Sequence, residues 1–464
     1  MRPLRRLVPL ALLVLSTACG HAKLVASVSP SAQPSGYLFA NVNVFDGEQA
    51  LGARDVLVRN GRIEAVEPAG TLTAQDVVRI DGTGKTLLPG LVDSHAHLES
   101  NGEALWDLGL PDLKAISEAY VYAGVTGALI LQGGEEQVDV QQDAARGKHL
   151  APHMLLTGPR LTAPEGFPIN LIRAVLPWPV NRFATGNIRT AATVAEAQQI
   201  VDDIAKEFSP PLFKLTSDAL PPGTPKLSGE ILTAAIQRVK ERKMRSVAHI
   251  GAPEDVMIAA EAGLDLFAHP PSGGLLTDEQ IARLKELRIP FVTTLNFLTG
   301  AQDIAADGGS ALERQMVHPE TLASFANPPK GFDYPGAGSR EEFEKLTRGL
   351  METVRQNARR LFEAGVPLFI GTDGGSPGVI PGASIHRELA LLVSLGVPPA
   401  EALRAATSAP ADFMDPARSF GRIAKGQRAD LLLVRGDPLT RIEATADVDR
   451  VFLNGVAIDR QPAP

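Results

Sequence analysis

Leu88-Pro-Gly-Leu-Val-Asp-Ser-His-Ala-His97 is an apolar run that ends in two histidines. Pro89-Gly90 breaks the chain just before it, and the residues that follow suit a buried strand. Successive side chains of a strand alternate between its faces, so the i, i+2 spacing of His95 and His97 points both imidazoles the same way. Two imidazoles converging at a strand end can chelate one divalent cation. A His-x-His pair alone is weak evidence, and its weight depends on what the rest of the chain brings to it.

Seven further apolar runs follow, at 126–132, 153–158, 211–216, 245–250, 264–269, 289–295 and 367–372. Helical patterns lie between them, for example over Ser228 to Lys243 and Ala252 to Gly263. Strands alternating with helices predict an α/β protein, here a (β/α)8 TIM barrel over residues 88–416, with a doubly wound sheet as the rival architecture. Two connections are long, about 163–192 and about 297–365, where substrate loops and lids are expected.

Both ends of the chain are β-rich. Leu38, Ala40, Val42 and Val44 alternate with polar residues, and Asp55 to Val66 reads as a hairpin turning at Asn60-Gly61. Ala429-Asp-Leu-Leu-Leu-Val434 is a strand, and Val448 to Ile458 is a second hairpin turning at Asn454-Gly455. Either hairpin alone is marginal, so residues 37–87 and 417–460 are expected to build one small β-sandwich domain together.

The first residues read as a targeting segment. Arg2, Arg5 and Arg6 precede a short apolar run, Leu7 to Leu15, and Ser16-Thr17-Ala18 supplies small residues before Cys19. Residues 1–18 are the expected signal peptide, and their removal takes the formal charge from −8 to about −11 (−8 − 3). Leu15-Ser-Thr-Ala-Cys19-Gly20 resembles a bacterial lipobox, with the leucine one position too far from the cysteine. Ordinary cleavage after Ala18 is the other reading. The expected location is a bacterial envelope lipoprotein anchored through Cys19, otherwise a periplasmic or secreted protein. Residues 19–36 read as a tether. Cys19 is the sole cysteine, so no intramolecular disulfide forms. The acidic balance, without a basic tract beyond the N-terminus, argues against nucleic acid as a partner and leaves a small molecule.

The C-terminal ends of the expected barrel strands carry polar residues. After His95 and His97 come Lys214, His249, His269 and Asp373, the last in Gly371-Thr-Asp373-Gly-Gly375. Singly, each has an ordinary explanation: a hydrogen-bonded core histidine, a snorkelling lysine, an aspartate in a turn. Barrel strand ends share one rim, and six such residues there can hold two metals. His21 falls in the tether, while His149 and His153 flank the opposite end of the third strand. His386 fits a helix-packing residue.

At these residues the chain resembles the metal-dependent amidohydrolase superfamily, over 37 to about 460, and within it the imidazolonepropionase-related and Xaa-Pro dipeptidase-like branch. Gly421-Arg-Ile-Ala-Lys-Gly-Gln-Arg-Ala-Asp-Leu431 resembles the family's return to the β-domain. The resemblance implies an exported hydrolase that cleaves a C–N bond (an amide, dipeptide or cyclic amide) by attack of a metal-bridging hydroxide. It implies two divalent metals, zinc by the His-rich ligation, with His95, His97 and Asp373 on one and His249 and His269 on the other. Lys214 is then a carbon dioxide-derived carbamate bridging both, and Asp373 is also the catalytic proton shuttle. Phosphotriester or lactone hydrolysis on the same site is the alternative, as is a non-catalytic binding lipoprotein. Relatives often carry Gly-Gly-His after the third strand, whereas Leu161-Thr-Ala-Pro-Glu-Gly-Phe-Pro168 has no histidine, so substrate specificity does not carry over. Arg160, Trp178 and His318 are the candidate substrate contacts. Oligomeric state is not legible.

Overall fold

The structure is a computed structural model that describes residues 22–32, 34–176 and 178–463. The expected signal peptide and Cys19 lie outside the described residues. The N-terminal strands are β1 (Ser27–Pro30), β2 (Gly36–Phe45), β3 (Ala50–Arg59), β4 (Arg62–Pro68), β5 (Val78–Asp81) and β6 (Lys85–Pro89). The middle of the chain holds β7 (Leu91–Ala96), β8 (Val125–Ile130), β9 (His153–Leu156), β10 (Arg160–Thr162), β11 (Ile188–Thr190), β12 (Leu212–Ser217), β13 (Arg245–Ile250), β14 (Leu266–Phe267), β15 (Phe291–Val292) and β16 (Leu368–Phe369). The chain ends with β17 (Leu431–Arg435), β18 (Val448–Leu453) and β19 (Val456–Gln461).

The two ends of the chain form one hydrogen-bonded sheet, in the order β1-β19-β18-β17-β6-β2-β3-β4 with β5 on β2. Both hairpins turn where Asn-Gly occurs, with Asn60, Gly61, Asn454 and Gly455 all at positive φ, as a type I′ turn requires. Phe39 and Tyr37 from one end pack edge-on against Phe452 from the other, each at a ring separation of 5.0 Å. Neither end has this apolar partner alone, which is why they fold jointly.

The segment read as a tether is docked from Lys23 to Pro30. Lys23 and Leu24 are buried, Val25 N donates to Met316 O, and β1 pairs with β19. The alternation of residues 27–30 is too short to announce a strand by itself, and only the waiting edge of β19 makes it one.

The middle strands are all parallel, as β7-β8-β9 and β11-β10-β12-β13-β14-β15-β16. All eight apolar runs contain a strand, while β10 and β11 are additions. Helices follow where periodicity and caps agree. Ser228 accepts from Ile231 N at the start of Gly229–Glu241, and left-handed Gly263 ends Pro253–Ala262. The strands β14 to β16 are short because Pro270, Pro290 and Pro367 flank them and have no N–H to extend a ladder.

The edge strands of the two parallel sheets meet. Ser94 N donates to Ile370 O at 2.9 Å and Asp373 N to His95 O at 2.8 Å, with an isolated parallel bridge between Ala96 and Gly374. No assigned ladder joins β9 to β10, which are separated by Gly158 at φ +70. One apolar cluster nevertheless takes a residue from each of the eight expected strands, including Val92, Leu129, Leu155, Leu212, Val247, Leu266, Val292 and Phe369. Phe413 and Phe420, beyond the last strand, cover its lower end. His153 lies there, its Nε2 3.1 Å from Asp430 Oδ2, and His386 Nε2 donates to Ala123 O at 2.9 Å. Lys214 and His249 stand two residues beyond Leu212 and Val247, and so on the same side of their strands, above the apolar layer.

Leu24→Ala is expected to lower unfolding stability by about 2–5 kcal/mol, read from the urea midpoint; an unchanged midpoint contradicts a docked N-terminal segment. A Cβ on Gly371 meets Val292 Cγ1 at 2.3 Å and His95 N at 2.7 Å. Gly371→Ala is therefore expected to cost about 1–3 kcal/mol through overpacking, seen as a lower thermal midpoint.

Candidate metal centre

His95 lies near the end of β7 and His97 just beyond it, and Asp373 follows β16. Both Nε2 atoms face one carboxylate oxygen: Asp373 Oδ1 is 3.2 Å from His95 Nε2 and 3.0 Å from His97 Nε2. Among the described residues these three form the group able to offer one ligand atom each within 4.8 Å of one another. Asp373 is left-handed, at φ +59, a conformation that costs free energy in a residue with a Cβ and persists where the surroundings impose it.

The imposing contacts come from Asp93. It accepts from Thr372 N at 3.0 Å, Thr372 Oγ1 at 2.7 Å and His95 N at 3.1 Å. A single carboxylate thus ties the residue before Asp373 to the backbone of His95. Burial pushes the Asp93 carboxyl up to about 7 despite these donors.

His249 and His269, from β13 and just after β14, make the second pair. His249 Nδ1 lies 2.6 Å from His269 Nε2, and the rings of His95 and His269 lie near-parallel at 6.4 Å, which sets the two pairs side by side. Lys214 of β12 is 1% exposed, and its charge acts on His95, His269 and Asp373. Burial, reinforced by the Arg160 cation, lowers the Lys214 amine to about 7.

The outer nitrogens of all four rings face acceptors: His95 Nδ1 to Ala268 O at 3.0 Å, His97 Nδ1 to Glu99 Oε1 at 2.8 Å, His249 Nε2 to Asp218 Oδ2 at 2.8 Å, His269 Nδ1 to Pro270 O at 3.2 Å. Carbonyls and carboxylates only accept, so each outer nitrogen is assigned the N–H. The inner nitrogen of each neutral ring is then a lone pair. Those lone pairs point at one another and at Asp373 Oδ1, an arrangement that repels unless a proton or a cation sits among them. Protonation is uphill at two of the rings: burial drives His95 well below the ordinary histidine value, and burial with His249 lowers His269 to about 3. At His97 burial is outweighed by Glu99 and Asp373, which raise it to about 9. Burial also opposes ionisation of Asp373, but His95 and His97 prevail and hold it well below the usual carboxylate range. Two nitrogens on one tetrahedral zinc stand about 3.4 Å apart, so the 2.6 Å pair must open by under 1 Å to share a cation.

The structure thus brings together all six residues expected at the rim. It adds Asp93, Glu99 and Asp218, whose only signal in the sequence is a short offset from a candidate ligand. Of the expected substrate contacts, Arg160 is buried, with its charge acting on Lys214 and Glu99. Trp178 is not at the centre: its side chain is 77% exposed on the long connection. His318 is also elsewhere, accepting from Glu320 N as the cap of the helix Pro319–Ser324 while its backbone N–H bonds Lys23 O.

Residues 86–458 match the model of the amidohydrolase family. An imidazolonepropionase of Geobacillus kaustophilus is 24% identical over 399 residues, 82% of this chain and 82% of that protein. A dihydroorotase of Bacillus thuringiensis is 42% identical over 66 residues, 14% of this chain and 15% of that protein. Among solved structures, a Xaa-Pro dipeptidase with bound methionine superposes with a TM-score of 0.71 at 19% identity, covering 91% of this chain and 99% of that one. A prolidase complexed with N-methylphosphonate-L-proline gives 0.70 at 22% identity, covering 92% and 100%. These likenesses establish a TIM-barrel-type α/β fold. With a family match over most of its length and a histidine-rich centre at the strand ends, the chain belongs to the amidohydrolase family, the metal-dependent hydrolases of carbon–nitrogen bonds.

Proposed function

We propose that the protein hydrolyses an amide, a dipeptide or a cyclic amide at a two-cation centre. The observation that carries this reading is the set of inner ring nitrogens directed at one another and at Asp373, with every outer nitrogen facing an acceptor. His95, His97 and Asp373 would hold one cation and His249 and His269 the other. The nitrogen-rich donor set suits zinc. Glu99 and Asp218 fix the tautomers of His97 and His249, as outer carboxylates do in metal sites.

Lys214 completes the set as a carbamate. Near-neutral titration leaves part of its amine uncharged at pH 7. That amine can add to carbon dioxide, forming an N–C bond and releasing one proton, and the resulting anion would offer the cations oxygen ligands where an ammonium cannot. When bound, the cations lower the pKa of water and polarise the scissile carbonyl. Asp373, kept ionised, takes the proton of the attacking water and returns it to the leaving nitrogen. Its strained, doubly anchored backbone holds it in place for both transfers.

In the same reading β7–β9 and β12–β16 close into an eight-stranded barrel over 88–416, supported by the bonds between β7 and the end of β16. The joint terminal sheet curls into a sandwich from 37–87 and 417–460. The mature chain is exported, with 1–18 removed and Cys19 acylated.

Zinc-loaded protein is expected to hold about two metal ions per chain by elemental analysis, and Lys214→Ala to lose at least one; full activity in metal-stripped protein contradicts the reading. Asp373→Asn is expected to lower kcat by about 10²–10⁴-fold with the circular dichroism spectrum unchanged. A panel of N-acyl amino acids, Xaa-Pro dipeptides and aryl phosphotriesters decides the bond, and exclusive phosphotriester turnover contradicts it.

A further inference from the structure

An apolar compartment adjoins the second histidine pair. Phe167 stacks on His249 at 4.9 Å and Phe297 on His269 at 5.4 Å, and both phenylalanines line a cavity of about 150 Å³. Trp106, Tyr334 and Phe343 line it, with Leu171, Leu220 and Leu298. Tyr334 and Phe343 come from the long connection 297–365, which therefore builds a wall of the site rather than a loose cover. The indole of Trp106 is held by donation to Ser324 O at 3.0 Å and packs edge-on to Tyr334 at 6.2 Å.

The polar side chains of the lining bond to each other. Gln302 donates to Thr347 Oγ1 at 2.6 Å, and Arg340 donates to Glu344 Oε1 at 2.7 Å. A charged group entering here would lose its water and find these partners already engaged. Tyr334 Oη, buried and without a hydrogen-bond partner among the described residues, remains to meet one polar substituent. An apolar cavity of about 150 Å³ stays dry and holds a benzene. The size therefore fits one aromatic ring, and the lining offers it edge-to-face contacts.

We propose that this compartment receives a single aromatic ring carried by the substrate beside the scissile bond, so that the enzyme prefers aryl-bearing amides over their methyl counterparts. The proposal rests on the amide-hydrolase reading above. It explains why two phenylalanines, rather than polar residues, back His249 and His269. Each ring stacks on a histidine and also lines the compartment that would hold the substrate's ring.

Two matched substrate pairs test it on zinc-loaded full-length enzyme. N-benzoylglycine against N-acetylglycine places the ring on the acyl side, and N-acetylphenylalanine against N-acetylalanine places it on the amine side. At least one pair should favour the ring by tenfold or more in kcat/KM, and filling the cavity with Ala301→Leu or Leu350→Trp should reduce that ratio at least tenfold. Turnover without ring preference in either pair overturns the proposal and leaves amide hydrolysis standing. Binding gives a readout independent of turnover. The chain has 2 tryptophans, one in the compartment and Trp178 at the surface, so the Trp178→Phe protein reports Trp106 alone. Benzyl alcohol should change its fluorescence saturably, and the change should vanish when Ala301→Leu is added to that protein. If no amide is cleaved, the bond reading fails, and this titration alone decides the compartment: no saturable change overturns it.

Discussion

The buried carboxylate of Asp93 is the junction on which the centre depends. It takes two hydrogen bonds from Thr372, 279 residues along the chain, and one from His95, two residues along. Leaving such a group without its donors costs about 1–3 kcal/mol or more. That cost keeps the first and last strands in register at their upper ends. The backbone bonds from Ser94 to Ile370 and from Asp373 to His95 continue the same seam. His95 and Asp373 are each adjacent to atoms in this seam, so ligand positions are set by backbone pairing and not by side-chain packing alone. The absence of a Cβ at Gly371 allows β7 and β15 to approach there.

Electrostatics complete what the seam begins. The layer below the rim is apolar and the rim itself is buried, so charge placed there must be matched locally. Glu99 and Asp218 act from the outer side of His97 and His249, while Asp373 acts from the inner side. Arg160 answers Glu99 and depresses Lys214. The outcome is a pocket in which burial keeps His95 and His269 uncharged, Asp373 is firmly ionised and Lys214 lies near neutrality. That composition suits binding cations and is unfavourable without them.

Much of this was legible in the chain because local signals agreed. Asn60-Gly61 and Asn454-Gly455 announced both hairpins, and eight apolar runs located eight parallel strands. The ligand candidates stood out because histidine, lysine and aspartate at the ends of apolar runs contradict their surroundings. Other features carry no periodic signature. Ser27–Pro30 becomes a strand only against β19, and Lys23 and Leu24 are buried only because distant helices offer them a surface. Asp93, Glu99 and Asp218 are ordinary carboxylates in sequence, and their partners are made by tertiary contact. Trp178 and His318 misled for the converse reason. An aromatic residue in a long loop and a histidine before Pro319 suit a pocket as well as a surface or a helix cap, and spacing alone does not separate the two.

The most direct test is anomalous X-ray scattering from crystals of the zinc-loaded protein. The account predicts two adjacent peaks, one among His95, His97 and Asp373, the other between His249 Nδ1 and His269 Nε2, with added density extending the Lys214 side chain between them. Active protein whose zinc lies away from these side chains, or that shows no peak among them, would contradict it.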